Sequence, residues 1–135
     1  MDWLKMLGTT ERPMQDDWLH EGNRTKEFFT SRKRMSMRPG DRVAYYATGL
    51  GSVFALGTVT SFAYQRPDEN REGFEWRVDV NLDDASREFI HEGVPLEVVS
   101  VDGRDLRGSI KQQSHIKLTP AEFGAIEKAL ERREQ

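Results

Sequence analysis

Cysteine is absent from the 135 residues, so disulfides and thiolate metal sites are excluded and the redox compartment leaves no mark on the chain. Histidine is scarce. The three histidines, His20, His91 and His115, share no HxH, HxxxH or HExxH spacing, and a zinc site would have to be assembled by tertiary contacts alone. No metal site and no cofactor are expected. Excess charge is small as well: the net value is −3, which gives the whole molecule no polyelectrolyte attraction of the kind that drives strong nonspecific binding to nucleic acid. Met1 to Leu7 contains acidic Asp2 and only a brief apolar run, so no secretory leader is read there.

One long uncharged run does occur, from Val43 through Gln65. Three glycines and five Ser or Thr residues interrupt it, and its apolar residues alternate with period two, so it reads as a buried hairpin and not as a membrane span. The expectation is a soluble, cytoplasmic protein that does not enter a membrane. A length of 135 residues suits a single domain, residues 1–135, able to bury roughly two-thirds of its unfolded surface.

Taken in order, Trp3 to Leu7 suits a first strand, and Gly8 to Asp17 a polar loop. Asn23 caps a helix through Arg34 with Phe28 and Phe29 on its buried side. Pro39-Gly40 suits a type II turn, Pro fixing φ at the second position and Gly supplying positive φ at the third. The strand after it turns Val43, Tyr45 and Ala47 to one face and Ala44, Tyr46 and Thr48 to the other. Thr48-Gly49-Leu50-Gly51 closes the hairpin and Ser52 to Phe62 returns. Gly57 within that return strand is read as a packing glycine, or else as a bulge or close backbone approach. Tyr64 to Gly73 reads as an exposed connection. Trp76 to Leu82 alternates strictly, with Trp76, Val78, Val80 and Leu82 on one face. Phe89-Ile90 and Pro95 to Val101 offer short strands, and Asp102-Gly103 a turn.

Thr119-Pro120-Ala121-Glu122 is a helix start: Thr caps, Pro suits the first helical position and Glu completes a capping box. The helix should reach Arg132 or Arg133 and dock Phe123, Ile126 and Leu130 on a sheet. The sum is an α+β domain: a curved antiparallel sheet or small pseudo-barrel of five to six strands with flanking helices.

Positive charge is concentrated locally. Arg24, Lys26, Arg32, Lys33, Arg34, Arg38 and Arg42 face only Glu27 and Asp41 in the same stretch, which is either a solvated helix face or a patch for phosphates.

Several features in order resemble the EVE domain of the PUA-like superfamily, which is related to the YTH and ASCH domains. They are Trp18, Asn23 to Arg34, Met37-Arg38-Pro39-Gly40-Asp41, Tyr46-Ala47-Thr48, Leu56-Gly57-Thr58-Val59, Trp76 to Val80 and Ser114 to Glu122. The resemblance implies a noncatalytic module that receives a modified nucleobase of DNA or RNA in an aromatic-lined pocket. Carried over by position, it implies ligand contacts from Trp18, Tyr46, Thr48 and Ser114, with Asn23 and Arg24 near the family's polar positions; the basic stretch offers phosphate contacts from Arg24, Arg32, Lys33 and Arg34. Ala47 stands where many members have His, and Gln112 where some have Arg. Tyr45 is expected in the core, His115 at the surface, and no residue is assigned a catalytic role. The alternatives are an ASCH-like small amidohydrolase acting on modified nucleosides, for which Lys5, Lys26, Lys33, Lys111, Lys117 and Lys128 form no evident Lys, Thr and Glu set, and a small-ligand or protein-interaction module.

Overall fold

The computed structural model describes residues 1–9, 11, 13–16, 28–65, 76–87, 89–111 and 113–133. Strands β1 (Asp2–Leu7), β2 (Phe28–Ser31), β3 (Arg42–Ala47), β4 (Ser52–Val59), β6 (Trp76–Leu82) and β8 (His115–Leu118) form a curled half-barrel in the order β2-β6-β4-β3-β1-β8. Two short strands lie off that path: β5 (Tyr64–Gln65) pairs β6, and β7 (Val94–Pro95) pairs β4. Helix α1 is the single turn Leu106–Ser109, and α2 is Pro120–Arg133.

The Pro-Gly turn forms as its residues demand. Gly40 has φ 93°, and the Asp41 amide donates to the Arg38 carbonyl at 3.0 Å, which is the closure of a type II turn. Strands β3 and β4 then pair in antiparallel fashion, with a register shift between Tyr45 and Tyr46 that leaves Phe54 as an extra residue in β4. That bulge lets Phe54 and Ala55 both join the cluster on one face, while Val53 and Leu56 join the other. The sheet is thus covered on both sides. Leu4, Ala44, Tyr46 and Leu56 pack beneath Phe123, Ile126 and Leu130 of α2. Trp3, Val43, Tyr45 and Val78 pack on the opposite face with Met35, Met37 and Ile90.

Two expectations are corrected. Phe28–Ser31, expected inside a helix, is a strand pairing antiparallel with β6 from Phe28↔Asp79 to Ser31↔Trp76. The exposed edge of β6 offers a ladder of backbone partners, and an aromatic and Thr-containing run takes it in preference to a helix. Residues 23–27 of that expected helix lie outside the described residues, as do 66–73 of the expected connection. The short strands expected at Phe89-Ile90 and over Pro95 to Val101 are instead 3-10 turns at Ile90–Glu92 and Leu96–Val99, with only Val94–Pro95 extended. Apolar residues three apart, Leu96 and Val99, are both buried, which a turn of three residues per repeat achieves and an alternating strand cannot.

Helix α2 opens on a reciprocal capping box. The Glu122 amide donates to Thr119 Oγ1 at 3.1 Å and the Thr119 amide to Glu122 Oε1 at 2.8 Å. Glu122 is fully buried and also takes Arg104 Nη2 at 2.7 Å, so its charge is neutralised where it would otherwise be costly.

Gly57 marks a close approach. A Cβ there would stand 2.5 Å from Val80 Cγ1 and 2.9 Å from the Asn81 carbonyl oxygen. Gly57→Ala should therefore destabilise the protein by on the order of 2–3 kcal/mol in chemical denaturation. Gly124→Ala, on α2 with nothing within 4 Å of the added carbon, should stabilise by about 0.5–1 kcal/mol. Equal midpoints for the two variants would contradict the described packing of β4 against β6.

Candidate functional site

The site is built at the end of β1, because β1 is flanked by β3 in parallel and β8 in antiparallel register. The Thr48 amide donates to the Leu7 carbonyl at 2.9 Å, and the Met6 amide to the Ser114 carbonyl at 3.1 Å. Thr48 and Ser114, far apart in sequence, are brought to the two sides of one strand end.

Alternation places Trp3, Lys5 and Leu7 on one face of β1. Lys5 lies opposite Tyr45 on β3 and opposite His115 on β8. His115 Nδ1 is 2.6 Å from Ser114 Oγ, and its ring meets Trp3 edge-on with centroids 5.6 Å apart. Lys117 Nζ lies 5.7 Å from the centroid of the Trp3 ring. The indole is itself held: Nε1 donates to Asp41 Oδ2 at 2.9 Å, and the Arg38 amide donates to the same oxygen at 3.0 Å. The Met-Arg-Pro-Gly-Asp turn thus ends on a carboxylate that fixes both the turn and the aromatic residue at the site.

The titrating groups respond to this setting. Burial lowers Lys5 from its ordinary 10.5 to about 8, because an ammonium removed from water loses hydration. Burial, and then the charge of Lys5, push His115 below its ordinary value. Burial pushes the Asp41 carboxyl up, but hydrogen bonds from Trp3 and the Arg38 amide outweigh it and leave the group below its ordinary value. Burial raises the Tyr45 hydroxyl far above its ordinary value.

The other expected site residues are distributed as follows. Trp18, Asn23 and Arg24 lie outside the described residues, as does Gln112. Tyr46 is buried at 4% exposure, in the cluster beneath α2 and on the face of the sheet opposite Lys5 and His115; its hydroxyl lies against the Arg107 guanidinium. It is not brought together with the Ser114 hydroxyl. Tyr45 is fully buried in the other cluster, as expected. Arg32, Lys33 and Arg34 are exposed after β2, with the Arg34 guanidinium 5.8 Å from the Trp76 ring centroid. His115, expected at the surface, is half-buried against Trp3, because pairing with β1 draws it into the sheet. Lys5 was not singled out by sequence. The available signal was a lone cation within Trp3-Leu4-Lys5-Met6-Leu7, on the same alternating face as the tryptophan.

No protein-family model matches the sequence, and no curated protein matches it. Solved structures do. The human THYN1 protein, in complex with DNA containing 5-methylcytosine, matches over 99% of this chain and 98% of its own, at 13% identity and a TM-score of 0.61. Protein Atu2648 from Agrobacterium tumefaciens matches over 96% and 92%, at 16% identity and a TM-score of 0.61. A mutant of the ZmASCH protein from Zymomonas mobilis matches over 94% and 96%, at 14% identity and a TM-score of 0.56. The fold is PUA-like. Near-complete coverage at such low identity means that the PUA-like sheet and its order are shared while most side chains differ, so the chemistry must come from the residues of this chain. Among the described residues, no helix is long and apolar enough to cross a membrane.

The buried cation makes a stability prediction. Because folding lowers the Lys5 pKa to about 8, the unfolded chain binds more protons between that value and 10.5, and stability should rise with pH across this window. At pH 7 the charge costs on the order of 3 kcal/mol. Lys5→Met should therefore raise stability at pH 7 by about 2–3 kcal/mol, and the gain should shrink as pH rises from 8 towards 10. Urea titrations of both proteins at several pH values measure it; a pH-independent difference would contradict the burial of the charge.

Proposed function

We propose that this chain is a noncatalytic module that binds nucleic acid, DNA or RNA, and receives a modified nucleobase at the end of β1. Thr48 and Ser114 flank the site, Trp18 supplies a stacking wall and Asn23 a polar contact. Tyr46, two residues before Thr48 in the chain, anchors that strand end in the core beneath α2. Arg24, Arg32, Lys33 and Arg34 meet phosphates. The observation that carries this reading is the convergence of Thr48 and Ser114 on one strand end, with the His115 ring against the Ser114 hydroxyl. Hydroxyl-bearing residues and an imidazole at one place are groups that can hydrogen-bond the edge of a base removed from its stack. The fold shared with THYN1, solved with 5-methylcytosine DNA, supports the same class of ligand.

The test is a titration of labelled oligonucleotides with and without 5-methylcytosine at several salt concentrations. Tighter binding of modified strands is expected, with the preference lost in Trp18→Ala. Replacing Arg32, Lys33 and Arg34 together by Ala should weaken all sequences alike and flatten the salt dependence by about 2–3 in logarithmic slope. Equal affinity for every strand, unchanged by Trp18→Ala, would remove the base-reading assignment.

A second reading is favoured by the Ser114, His115 and Lys5 grouping and by the fold shared with ZmASCH. It is a small amidohydrolase acting on acylated nucleosides, with His115 and Lys5 as the proton-handling groups. Incubation with acylated cytidines decides it: deacylated product in the wild type and none in Lys5→Met is the outcome that would replace the noncatalytic reading.

A further inference from the structure

We propose that the rim of the sheet where β2 and β5 stop and β6 begins is a binding surface for single-stranded nucleic acid, and that it takes unmodified strands. The inference rests on the nucleic-acid part of the reading above and not on its base recognition. It names the form of the strand, and the aromatic residues on which its bases stack.

Strand register brings three segments to this rim. Trp76, the first residue of β6, pairs with Ser31, the last of β2, on one side and with Gln65, the last of β5, on the other. The exposed run Arg32, Lys33 and Arg34 therefore leaves the sheet beside Trp76. The Arg34 guanidinium lies over the Trp76 ring, 5.8 Å from its centroid, and among the described residues neither Lys33 nor Arg34 forms an ion pair. One residue further along β6, the Arg77 guanidinium lies over the Tyr64 ring at 5.9 Å. Asp79 fixes this second pair: one of its carboxylate oxygens accepts from the Tyr64 hydroxyl at 2.7 Å and from Arg77 Nε at 3.1 Å. Phe62, just before β5, is 61% exposed.

Cations that no carboxylate neutralises attract a polyanion, and the one carboxylate of this group, Asp79, is offset by Arg77. The rings narrow the choice of polyanion. Every nucleobase has a π-face, and aromatic rings and guanidinium planes both stack on it. In a duplex those faces are hidden and mainly phosphates are offered, whereas a single strand presents them. Shape points the same way. Alternation sets Trp76 and Arg77 on opposite faces of β6, so a ligand touching both guanidinium–aromatic pairs has to turn around a rim about 10 Å wide, the span of three neighbouring strands. A single strand follows such a rim; a duplex, with a persistence length of about 150 base pairs, does not. An acidic peptide backbone would meet the cations and leave the rings without a stacking partner.

The experiment uses the full chain and a labelled, unmodified oligonucleotide, presented single-stranded and annealed to its complement, with polyglutamate as a competitor that has charge and no bases. At equal salt the single strand is expected to bind about tenfold more tightly than the duplex. Phe62→Ala should weaken the single strand about tenfold and leave the duplex unchanged. Arg34→Lys keeps the charge and loses the planar group, so it should weaken the single strand several-fold without altering the salt slope. Both residues are exposed, and unchanged thermal midpoints verify that the variants fold. Equal affinity for the two forms, or a single-strand preference untouched by both variants, overturns this inference; if binding still depends on 5-methylcytosine and on Trp18, the proposed function stands. A single-strand preference that both variants remove, with no dependence on modification, upholds the inference and overturns the base-reading assignment. Displacement of the strand by polyglutamate as readily as by unlabelled oligonucleotide overturns the inference in favour of an acidic protein partner.

Discussion

The backbone ladder of β1 is the constraint on which the rest of the molecule depends. Inserted between β3 and β8, it is paired on both edges from Asp2 through Lys5, and its side chains serve both cores, Leu4 and Met6 beneath α2 and Trp3 on the other face. A strand paired on both edges and covered on both faces has no freedom of register, since a slip of one residue would exchange every side chain between the cores. The site inherits that rigidity. Thr48 and Ser114 are held by backbone hydrogen bonds to the last residues of β1, so the spacing of the two hydroxyl-bearing residues is fixed by the sheet and not by loops.

A lysine in such a strand opposes stability. Position 5 faces the same cluster as Trp3, Val43 and Tyr45, and an apolar side chain there would satisfy the pattern of its neighbours. The ammonium instead loses its hydration, and its surroundings do not restore its ordinary pKa. Proteins accumulate this kind of local penalty where activity requires a strained or desolvated group. The contrast with Glu122 is instructive. That buried carboxylate closes a helix cap and faces Arg104, so its burial follows from the fold alone, whereas Lys5 stands near a strand end across from His115, whose ring meets the Ser114 hydroxyl.

Local chemistry was readable wherever it decides structure by itself. Pro39-Gly40 formed its turn, Thr119 and Glu122 closed their capping box, and Trp76 to Leu82 and Val43 to Ala47 divided between the faces as alternation requires. Reading failed where a distant partner decides. Phe28–Ser31 carries two aromatics and a following run of cations that suit a helix face equally well, and only the open edge of β6 selects the strand. The parallel pairing of β1 with β3 leaves no trace in either segment, because register between strands so far apart in sequence is a property of the assembled sheet. The grouping of Lys5 with His115 was hidden for the same reason. The two residues lie at opposite ends of the chain, and each alone looks like a solvated polar residue.

The hairpin of β3 and β4 shows how two tyrosines in adjacent positions come to different work. Tyr45 faces the cluster that contains Trp3, and Tyr46 faces the one beneath α2. A regular ladder would carry this opposition straight through the pair. The bulge at Phe54 breaks the alternation in β4 while leaving it intact in β3, so the partner strand delivers an additional aromatic ring to the Tyr45 side, edge-on with centroids 6.3 Å apart. The extra residue thickens the core behind Lys5 and tightens the local twist of the sheet. Thickening the apolar wall at that point strengthens every electrostatic interaction in front of it, because less water can approach. A packing irregularity in one strand thereby bears on a charge in another, because the bulge that distinguishes the two tyrosines also deepens the apolar setting behind Lys5.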